Sequence, residues 1–402
     1  MRTVQGRVLI VEPANRSGDW HYANLLASAL QEEGVEVRLA TVFPFVPVPS
    51  PHDVPIVSIG PRQPVSFWPR GAVFQRARYY AAKVKGLLEV IIRLRPSVVH
   101  FQRPLGPLDC ALFMLIKRLG PRIAYIIHTP LPPRLGLLAR ARFRQVDLFF
   151  THADRTKQQL VAMGIPEETI VKIVHGNYLY LCQPSDLPGD EARRLLGLPP
   201  QARVILFFGH IEWRKGLERL IEAFALLSRS ETDLYLVVAG TANEDFTPYE
   251  HLMSRLGVRE RVLVDLRWIP YAEMQRYFNA AFVVVLPYRF ISQSGVIQLA
   301  YAYRRPVVVT DVGGISEVVS GDETGIVAQS EEPEAIAAAI RCLLADPEKA
   351  TRMGERGRRL AETKYAWAGV ARRVAVHYRM LEAGGPAFRT GVTPRPERKP
   401  EP

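Results

Sequence analysis

Residues 283–327 hold two segments whose residue types could bind a negatively charged ligand. Each begins with β-branched residues typical of a buried parallel strand, at 283–286 and 307–310, and continues into small or polar residues that open a helix, at 292–295 and 313–316. Unpaired N–H groups and the dipole at a helix N-terminus favour phosphate or carboxylate, and such sites cluster where parallel strands end. A phosphate-bearing ligand is therefore the first hypothesis.

Five of the nine histidines stand directly after apolar runs of the kind that form strands. Because the carboxyl ends of parallel strands form the ligand crevice of such sheets, we expect these imidazoles to face one cleft. For each of them singly, a structural histidine with satisfied hydrogen bonds is the alternative. The sequence has no HExxH, DxD or carboxylate-rich loop, so we expect no metal site. The five are His100, His128, His152, His175 and His210.

Strand and helix patterns alternate along the chain, which predicts an α/β fold with parallel sheets and right-handed crossovers. The pattern restarts after a polar, proline-bearing stretch at 183–190. We therefore predict two doubly wound Rossmann-like domains, 1–183 and 184–365, which face a cleft and are hinged near that stretch. The predicted strands are 8–11, 36–41, 98–101, 123–127, 148–151, 171–174, 204–208, 235–239, 261–266, 282–286 and 307–310, and the predicted helices of the first domain are 22–33, 73–95, 107–119 and 154–163.

Two further segments follow the predicted domains. Residues 366–383 are expected to form a C-terminal helix that packs back toward the N-terminal domain. The tail at 384–402 is rich in Gly, Pro and charged residues, so we expect it to be disordered.

Composition limits the class of protein. The 402 residues contain three cysteines, Cys110, Cys182 and Cys342, without a CxxC pair, so neither a disulfide framework nor a thiolate zinc site is indicated and a reducing cytosol fits. The apolar run near the N-terminus is too short for a signal peptide. Since no run of about eighteen apolar residues occurs, we expect a cytoplasmic protein that does not span a membrane.

The positive charge is concentrated in the N-terminal half. Residues 1–180 hold 23 Lys and Arg against 12 Asp and Glu, whereas residues 181–402 hold 29 against 28, within a net charge of +12. Basic residues mixed with aromatic ones can dock on an anionic leaflet, which would make the protein peripheral to the inner face of the cytoplasmic membrane. The alternative is a solvated helix whose aromatics face the core, and no motif for nucleic acid occurs. The basic residues are Arg70, Arg76, Arg78, Lys83, Lys85, Arg93 and Arg95, interleaved with Phe67, Trp68, Phe74, Tyr79 and Tyr80, with a second cluster at Arg134, Arg140, Arg142 and Arg144.

Several segments, in order and spacing, carry a family resemblance. The chain resembles a glycosyltransferase of the GT-B fold, specifically the large retaining family 4 of nucleotide-sugar-dependent enzymes, over about residues 8–381. The matching segments are the glycine loop 15–20 (NRSGDW), the strand-end segment Ile127-His128-Thr129, residues 146–152 with the helix behind them, the turn Val174-His175-Gly176, the nucleotide-diphosphate segment 207–216 (FFGHIEWRKG) and the GGxxE turn at 311–317.

The chain also departs from the family pattern. Common members carry two glutamates eight positions apart that contact the donor sugar and the ribose, and these positions align here with Ile291 and Leu299. The sequence instead resembles a variant branch marked QSGV, at 293–296. His210 stands where an arginine is usual. These changes leave open which sugar the donor carries and whether activity is altered.

The resemblance implies that a nucleoside-diphosphate sugar is bound between the domains without a metal or other cofactor. Negative charge builds on the diphosphate as the C1–O bond breaks, so fixed positive groups must hold it. Lys215 is the main candidate and Arg214 or His210 a secondary one. The remaining expected donor-binding residues are Gly18, Gly209, Gln293, Ser294, Gly295 and Val296, of which Gly18, Ser294, Gly295 and Val296 would offer backbone N–H groups.

Other residues are assigned to the sugar and the acceptor. The resemblance implies that His128 bonds to the donor sugar or positions the reacting groups, so it is grouped with Lys215 as catalytic. Asp19, Trp20 and His21 are expected to bind acceptor hydroxyls, with a surface loop that binds nothing as the alternative. Glu317 is expected to cap the helix that follows Gly313 and Gly314.

The sequence thus predicts a retaining glycosyltransferase that moves a sugar from a nucleoside-diphosphate donor to a glycan or lipid-linked acceptor. Two alternatives remain at this stage. A nucleotide-sugar epimerase shares the architecture, and a non-catalytic partner protein could keep the fold after losing donor chemistry.

Overall fold

The computed structural model describes residues 6–14, 18–43, 47–60, 73–106, 108–129, 131, 136–182 and 187–383. Several sequence predictions lie outside the described residues. These are the tail at 384–402, part of the hinge at 183–186, the first half of the glycine loop at 15–17, and the basic or aromatic residues Phe67, Trp68, Arg70 and Arg134.

The first half of the described chain forms a parallel sheet of seven strands in the order β3-β2-β1-β4-β5-β6-β7. The order reverses direction at β1, as it does in doubly wound folds, so the ligand crevice falls near the end of β1. The elements are β1 (Arg7–Val11), α1 (Gly18–Glu32), β2 (Glu36–Thr41), β3 (Ile56–Ser58), α2 (Val73–Leu94), β4 (Val98–Phe101), α3 (Asp109–Arg118), β5 (Arg122–Ile127), α4 (Leu137–Phe143), β6 (Leu148–Thr151), α5 (Asp154–Ala162) and β7 (Ile170–Lys172).

The second half forms a parallel sheet of six strands within the described residues, in the order β10-β9-β8-β11-β12-β13. Its direction reverses at β8, so a second crevice falls near the end of that strand. The elements are α6 (Gly189–Leu195), β8 (Arg203–Phe208), α7 (Leu217–Leu227), β9 (Leu234–Ala239), α8 (Thr247–Arg255), β10 (Val262–Asp265), α9 (Tyr271–Ala280), β11 (Val283–Leu286), α10 (Gly295–Ala302), β12 (Val307–Thr310), α11 (Ile315–Asp322), β13 (Gly325–Ala328), α12 (Pro333–Ala345), α13 (Pro347–Glu362) and α14 (Trp367–Glu382).

The central strands are covered on both faces, which explains why their sequences are continuous apolar runs rather than alternating ones. All four residues of β4 and of β11 are buried. Burial on both faces therefore made these strands recognisable from sequence, and the predicted α/β class with two doubly wound sheets is confirmed.

The last helix returns to the first domain. Helix α14 packs along α1, and its Tyr378 hydroxyl lies 2.5 Å from Nδ1 of His100. At its start, Trp367 Nε1 donates to the carbonyl of Asn177 at 2.7 Å, and the Trp367 ring lies 5.1 Å from that of Tyr22. The chain therefore crosses between the domains twice, at the linker and at α14.

None of the helices in the described ranges combines the length and apolar character needed to cross a bilayer.

Candidate functional site

The carboxyl ends of the two sheets face each other where the two halves of the chain meet, and we call this junction the cleft. Helix α1 begins at Gly18 on one side and α10 begins at Gly295 on the other. Tyr178 lies between them: its hydroxyl donates to the carbonyl of Gly18 at 3.2 Å, and a Cβ at position 295 would come within 2.5 Å of its ring. Glycine at 295 therefore lets the two helix starts approach.

Lys215 lies at the floor of the cleft, in a short turn that follows β8. Its side chain is 7% exposed, and its ammonium lies 5.4 Å from the ring centre of Tyr288 and 3.4 Å from where a Cβ of Gly209 would be. Among the described residues, no carboxylate or carbonyl pairs with this ammonium. A buried cation is costly without a partner, so this position suits an anionic ligand.

The other two predicted cations near β8 are already engaged or neutral. Arg214 Nε lies 2.7 Å from Oε2 of Glu212. The other oxygen of Glu212, Oε1, accepts from Nδ2 of Asn243 at 2.9 Å. Burial, and then the neighbouring Lys215, lower the pKa of His210, and its Nδ1 is buried without a hydrogen-bond partner. Lys215 is thus the predicted cation that forms no ion pair within the described residues, with Glu212 acting on it only at longer range.

The start of α10 is capped by its own side chains. The N–H of Ser294 donates to Oε1 of Gln293 at 2.9 Å, and the N–H of Val296 donates to Oγ of Ser294 at 3.3 Å. Serine is a favoured N-cap because its hydroxyl accepts from the first free N–H groups. Of the three N–H groups at the start of α10 that were predicted to hold a phosphate, those of Ser294 and Val296 are thus already bonded. A ligand would have to displace the bonded side chains.

The second predicted anion site, at 313–316, is closely packed against two other segments of the chain, and one of its N–H groups is already bonded. A Cβ at Gly313 would lie 1.5 Å from the carbonyl oxygen of Ile291, and one at Gly314 would lie 2.5 Å from the Cβ of Ala153 in the N-terminal domain. The N–H of Gly314 donates to the carbonyl of Ser292 at 2.9 Å. These glycines therefore allow close packing of neighbouring chain segments, and an anion site at 313–316 stays a prediction.

Glu317 does not cap the helix that follows these glycines. Its two carboxylate oxygens accept from the N–H groups of Asp154 and Arg155, at 3.0 and 3.1 Å, in the first turn of α5. The residue therefore caps a helix of the other domain, which local sequence could not indicate.

On the N-terminal wall, Arg103 lies between two carboxylates. It is hydrogen-bonded to Asp19, and its Nε is 3.2 Å from Oε1 of Glu12, which is fully buried. Burial raises the pKa of Glu12 to about 8, with Arg103 opposing the change. For Asp19 burial also favours the neutral form, but His128 and Arg103 outweigh it and the pKa is lowered. At neutral pH, Asp19 is the charged member of the pair and Glu12 is protonated.

His128 sits at the end of β5 and touches both domains. Its Nε2 lies 2.7 Å from Oε1 of Gln102, and its carbonyl accepts a hydrogen bond from the Ser292 hydroxyl. Burial lowers the pKa of His128. A neutral ring that donates from Nε2 to the amide oxygen keeps Nδ1 as an acceptor.

The strand-end histidines gather around one tyrosine. The Tyr22 ring lies 4.9, 5.2 and 5.0 Å from those of His128, His152 and His175. His152 and His175 each have Nδ1 against a backbone carbonyl, at 3.2 and 2.9 Å, and burial lowers the pKa of both. The expectation of a shared cleft edge is met by these three, whereas His100 is inside the core against α14 and His210 is on the opposite wall.

The structure places the three predicted acceptor-binding residues in different surroundings. Trp20 is fully buried in the core, because α1 already begins at Gly18 and turns this residue toward the sheet, so it cannot meet an acceptor as placed here. His21 Nε2 bonds to the Tyr271 hydroxyl of the C-terminal domain at 2.7 Å, and burial lowers its pKa to about 4. Asp19 remains at the cleft, paired with Arg103.

Several cleft residues were missed by the sequence reasoning. Gln102 and Arg103 follow β4 directly, so the strand-end rule that selected the histidines would also have found them. Glu12 follows β1 in the same way. Tyr178 and Tyr271 had no local signal, since each is defined by a contact with a distant segment. In the part of the chain that is described, no group of three or more His, Cys, Asp or Glu side chains is arranged to hold a metal ion.

Comparison with known proteins gives two family matches in tandem. Residues 18–176 match the family described as Glycosyltransferase Family 4, and residues 189–360 match Glycosyl transferases group 1. D-inositol 3-phosphate glycosyltransferase 1 of Catenulispora acidiphila is 31% identical over 248 residues, 60% of this chain and 58% of that protein. The chain spans about half the length of the curated relatives it matches.

Solved structures resemble the chain over most of its length. Sucrose-phosphate synthase of Thermosynechococcus elongatus has a TM-score of 0.77 at 20% identity, covering 95% of this chain and all (100%) of that one. HepE of Anabaena, solved with UDP-glucose, has a TM-score of 0.72 at 15% identity, covering 92% and 98%. At these identities the likeness concerns the fold.

Proposed function

Because the chain belongs to the group 1 glycosyltransferases and has the GT-B fold, we propose that it transfers a sugar from a nucleoside-diphosphate sugar to a glycan or lipid-linked acceptor, with retention and without a metal ion. The donor would lie in the cleft between the two sheets. A relative named for D-inositol 3-phosphate and a structural neighbour solved with UDP-glucose support a nucleotide-sugar donor and a hydroxyl acceptor of this kind.

The observation that carries this proposal is Lys215, a buried side chain whose ammonium forms no ion pair with the described residues. It lies at the end of β8, beside Gly209 and facing the Tyr288 ring, where parallel sheets of this type bind ligands. A diphosphate here would supply the missing negative charge. As the bond from the sugar C1 to the diphosphate oxygen breaks, the charge on that oxygen grows, so the ammonium stabilises the transition state more than the bound donor.

The N-terminal wall would position the sugar and the acceptor. Neutral His128 keeps Nδ1 as an acceptor while Nε2 is fixed by Gln102, so its ring can orient a sugar hydroxyl without taking a proton. Asp19, held in its charged form by its ion pair with Arg103, can accept from an acceptor hydroxyl. In a transfer with retention on one face of the sugar, the leaving diphosphate itself can receive the acceptor's proton, which needs no separate protein base.

The first test is titration calorimetry of UDP and GDP, without divalent metal, against wild type, Lys215→Ala and Lys349→Ala. Lys349 is an exposed lysine on α13, so its variant controls for loss of one ammonium. We expect micromolar binding of one nucleotide by wild type and Lys349→Ala, and binding about tenfold or more weaker in Lys215→Ala. Equal affinity in all three proteins would remove Lys215 from the donor site.

One observation favours the non-catalytic alternative. Leu299, at a position where common members carry a glutamate, is 5% exposed and lies in the core, and Ile291 packs against the same core. Binding of a nucleotide without transfer or hydrolysis of any matching sugar donor would support a non-catalytic partner. Release of a free sugar or an epimer without an acceptor would support an epimerase instead.

The N-terminal domain carries a surface suited to an anionic membrane, which we name the α2–α4 surface. Its exposed apolar residues include Val73, Phe74, Leu137 and Leu138, with 73, 74, 85 and 52% exposure. Exposed basic residues flank them, which is the combination that binds anionic leaflets. Lys83, one of the basic residues singled out in the sequence, is buried and donates to the Leu105 carbonyl at 3.1 Å, so it does not contribute. The basic residues on α2 and α4 are Arg76, Arg78, Lys85, Arg93, Arg140 and Arg144.

A further inference from the structure

A cavity of about 890 Å³ lies away from the cleft, on the opposite edge of the C-terminal sheet. Phe282 and Pro306, which line it, directly precede β11 and β12, whereas the cleft lies where those strands end. Leu179, Tyr180 and Cys182, where the chain leaves the first domain, form another wall. Its size is in the range of pockets that hold small ligands, about 300–1,000 Å³.

Arg305 is held in the cavity wall by the turn that ends α10. Arg304 adopts a left-handed conformation with φ 55°, its N–H donates to the carbonyl of Tyr301 at 3.0 Å, and the N–H of Arg305 donates to that of Ala300 at 2.8 Å. Glycine is usual at such a helix end because a side chain is strained there. A Cβ at Gly354 of α13 would come within 2.1 Å of the Arg304 carbonyl oxygen, so that helix packs directly on the turn. The Arg305 backbone is therefore firmly placed.

The charge of Arg305 has no partner. Its Nε is buried and without a hydrogen bond, and no carboxylate of the described residues forms an ion pair with its guanidinium. Burial, followed by the like charges of Arg193 and Arg304, lowers its pKa to about 10, and Glu355 opposes this only in part. Glu355 is itself engaged 3.4 Å from Nε of Arg304. The side chain is half-buried and its guanidinium has no anionic partner among the described residues, so it is available to an anion in the cavity.

The rest of the lining defines the kind of anion. Among the described residues, three arginines and one glutamate line the cavity, and the third arginine, Arg358, is tied to Glu362 at 2.6 Å and to the Ala302 carbonyl at 2.8 Å. With Arg304 beside Glu355 and Arg358 beside Glu362, the charge left over among the described lining residues is that of Arg305, which one anionic group would balance. Apolar side chains face the same space, so the ligand has an uncharged part as well. They are Leu179, Leu187, Phe282 and Pro306.

We propose that this cavity binds a small phosphate monoester, whose phosphate pairs with the Arg305 guanidinium and whose organic part lies against the apolar wall beside the inter-domain linker. The planar guanidinium presents two parallel N–H groups, which matches the geometry of phosphate oxygens. This site is separate from the proposed donor site, because it does not involve Lys215 or any residue of the cleft.

The test measures binding of inorganic phosphate and of phenyl phosphate by titration calorimetry at low salt. The proteins are wild type, Arg305→Gln, Arg305→Lys, Lys215→Ala and Arg341→Gln, the last being a matched loss of an exposed arginine on α12 of the same domain. We expect phenyl phosphate to bind more tightly than phosphate, because it also covers the apolar wall. Arg305→Gln should weaken both about tenfold to a hundredfold, Arg305→Lys should weaken them less, and Lys215→Ala and Arg341→Gln should leave binding at this site intact.

A second readout locates the site and controls for folding. Phenyl phosphate should slow hydrogen exchange at 179–182 and 303–306, and it should raise the melting temperature of wild type but not of Arg305→Gln. Without ligand, Arg305→Gln should melt close to wild type, because the Arg305 side chain forms no hydrogen bond or ion pair with the described residues. Wild-type affinity in Arg305→Gln, no binding by wild type, or binding that only Lys215→Ala abolishes would overturn the proposal. The last of these results would place the phosphate in the cleft and leave the proposed donor site standing.

Discussion

Lys215 and Glu12 are both buried ionisable side chains on the walls of the cleft, and their surroundings are opposite. The Lys215 ammonium faces an aromatic ring and lacks a carboxylate among the described residues, so it gains from an anionic ligand. Glu12 shares Arg103 with Asp19, and its second oxygen is buried without a partner. The role of Lys215 is therefore tested by ligand binding, and that of Glu12 by changing the pH.

Replacing Lys215 tests the chemistry at the residue scale. Lys215→Ala should lower kcat/KM about 10- to 200-fold, since one charge-assisted hydrogen bond contributes roughly 1.5–3 kcal/mol. The measurement is the initial rate of transfer or hydrolysis of the donor whose nucleotide binds best. The same rates for Lys349→Ala should equal those of wild type, and a Lys215→Ala enzyme within about twofold of wild type would contradict the assignment.

Glu12 should make stability fall as pH rises. Burial raises its pKa from 4.5 to about 8, so between these values the folded protein holds a proton that the unfolded chain has lost. This contribution is fully present below pH 4.5 and is lost as pH rises through about 8. Asp19 does not interfere, because its pKa is lowered from 3.8 and it acts only in acid.

The variant that isolates this effect is Glu12→Gln, whose amide cannot ionise. Denaturant unfolding at pH 6 and pH 9 should show wild type losing more than about 1 kcal/mol relative to the variant, since one pKa unit corresponds to about 1.4 kcal/mol. If the difference between the two proteins is the same at both pH values, Glu12 is already ionised at pH 6 and the argument fails.

The sequence was informative for residues that follow strands and not for those that depend on distant contacts. His128, His152 and His175 lie at one edge of a sheet, as their positions after apolar runs predicted. Trp20 was assigned to a loop, but the helix begins two residues earlier and buries it. Tyr178, whose ring lies 6.2 Å from that of His21, could not be found from sequence because its role depends on Gly295, more than a hundred positions away.

At the scale of elements, α5 depends on a residue of the other domain. Its N-cap residue, Ala153, offers no side-chain hydrogen bond, and the free N–H groups of its first turn are bonded by Glu317. A carboxylate at this position also opposes the positive end of the helix dipole. The contact between the two domains therefore stabilises the start of α5.

Glu317→Ala should loosen this contact. Loss of a helix cap costs about 0.5–2 kcal/mol, so we expect faster hydrogen exchange at residues 154–157 and a lower midpoint of unfolding. Glu348→Ala is the control, because this glutamate is 89% exposed and pairs only with Arg352 at 3.5 Å among the described residues. Unchanged exchange at 154–157 in Glu317→Ala would mean that the cap is not formed in solution.

Elements were predictable where the chain itself carries the pattern. The buried central strands were found, but the edge strands Ile56–Ser58 and Gly325–Ala328 were not. The first is only three residues long and half-exposed. The second begins with a glycine, which in sequence is typical of a break in a strand. A Cβ at Gly325 would lie 1.9 Å from the Val307 carbonyl oxygen, so the glycine allows this strand to pair with its neighbour.

At the scale of the whole molecule, two predictable domains are joined by contacts that no local pattern contains. Their sheets follow from strand–helix alternation. Their relative placement depends on pairs such as Arg155 with Asp311 at 2.8 Å and His21 with Tyr271 at 2.7 Å, which join residues from opposite halves of the chain. The uneven charge, by contrast, is a property of the whole molecule that can be read directly from the sequence.

The α2–α4 surface should bind anionic vesicles and ignore neutral ones. The exposed apolar side chains of this surface, above all Leu137, can enter the leaflet. The arginines of α2 and α4 can then contact the lipid phosphates, each charge contributing about 1 kcal/mol. Because this attraction is screened, co-sedimentation with vesicles containing anionic lipid should be strong at low salt and fall steeply toward about 0.5 M.

The matched variants for this surface are leucine substitutions at similar exposure. Leu138→Asn, combined with Leu137→Asn, should reduce sedimentation with anionic vesicles severalfold, since burial of one leucine contributes about 1.5–3 kcal/mol. Leu195→Asn is the control, because Leu195 is 54% exposed against 52% for Leu138 but lies on α6 of the C-terminal domain. Equal loss in both variants would mean that binding is unspecific, and a wild type that stays in the supernatant at low salt would remove the membrane from the proposed function. Binding that survives the leucine changes but disappears with salt would instead assign the attraction to charge alone.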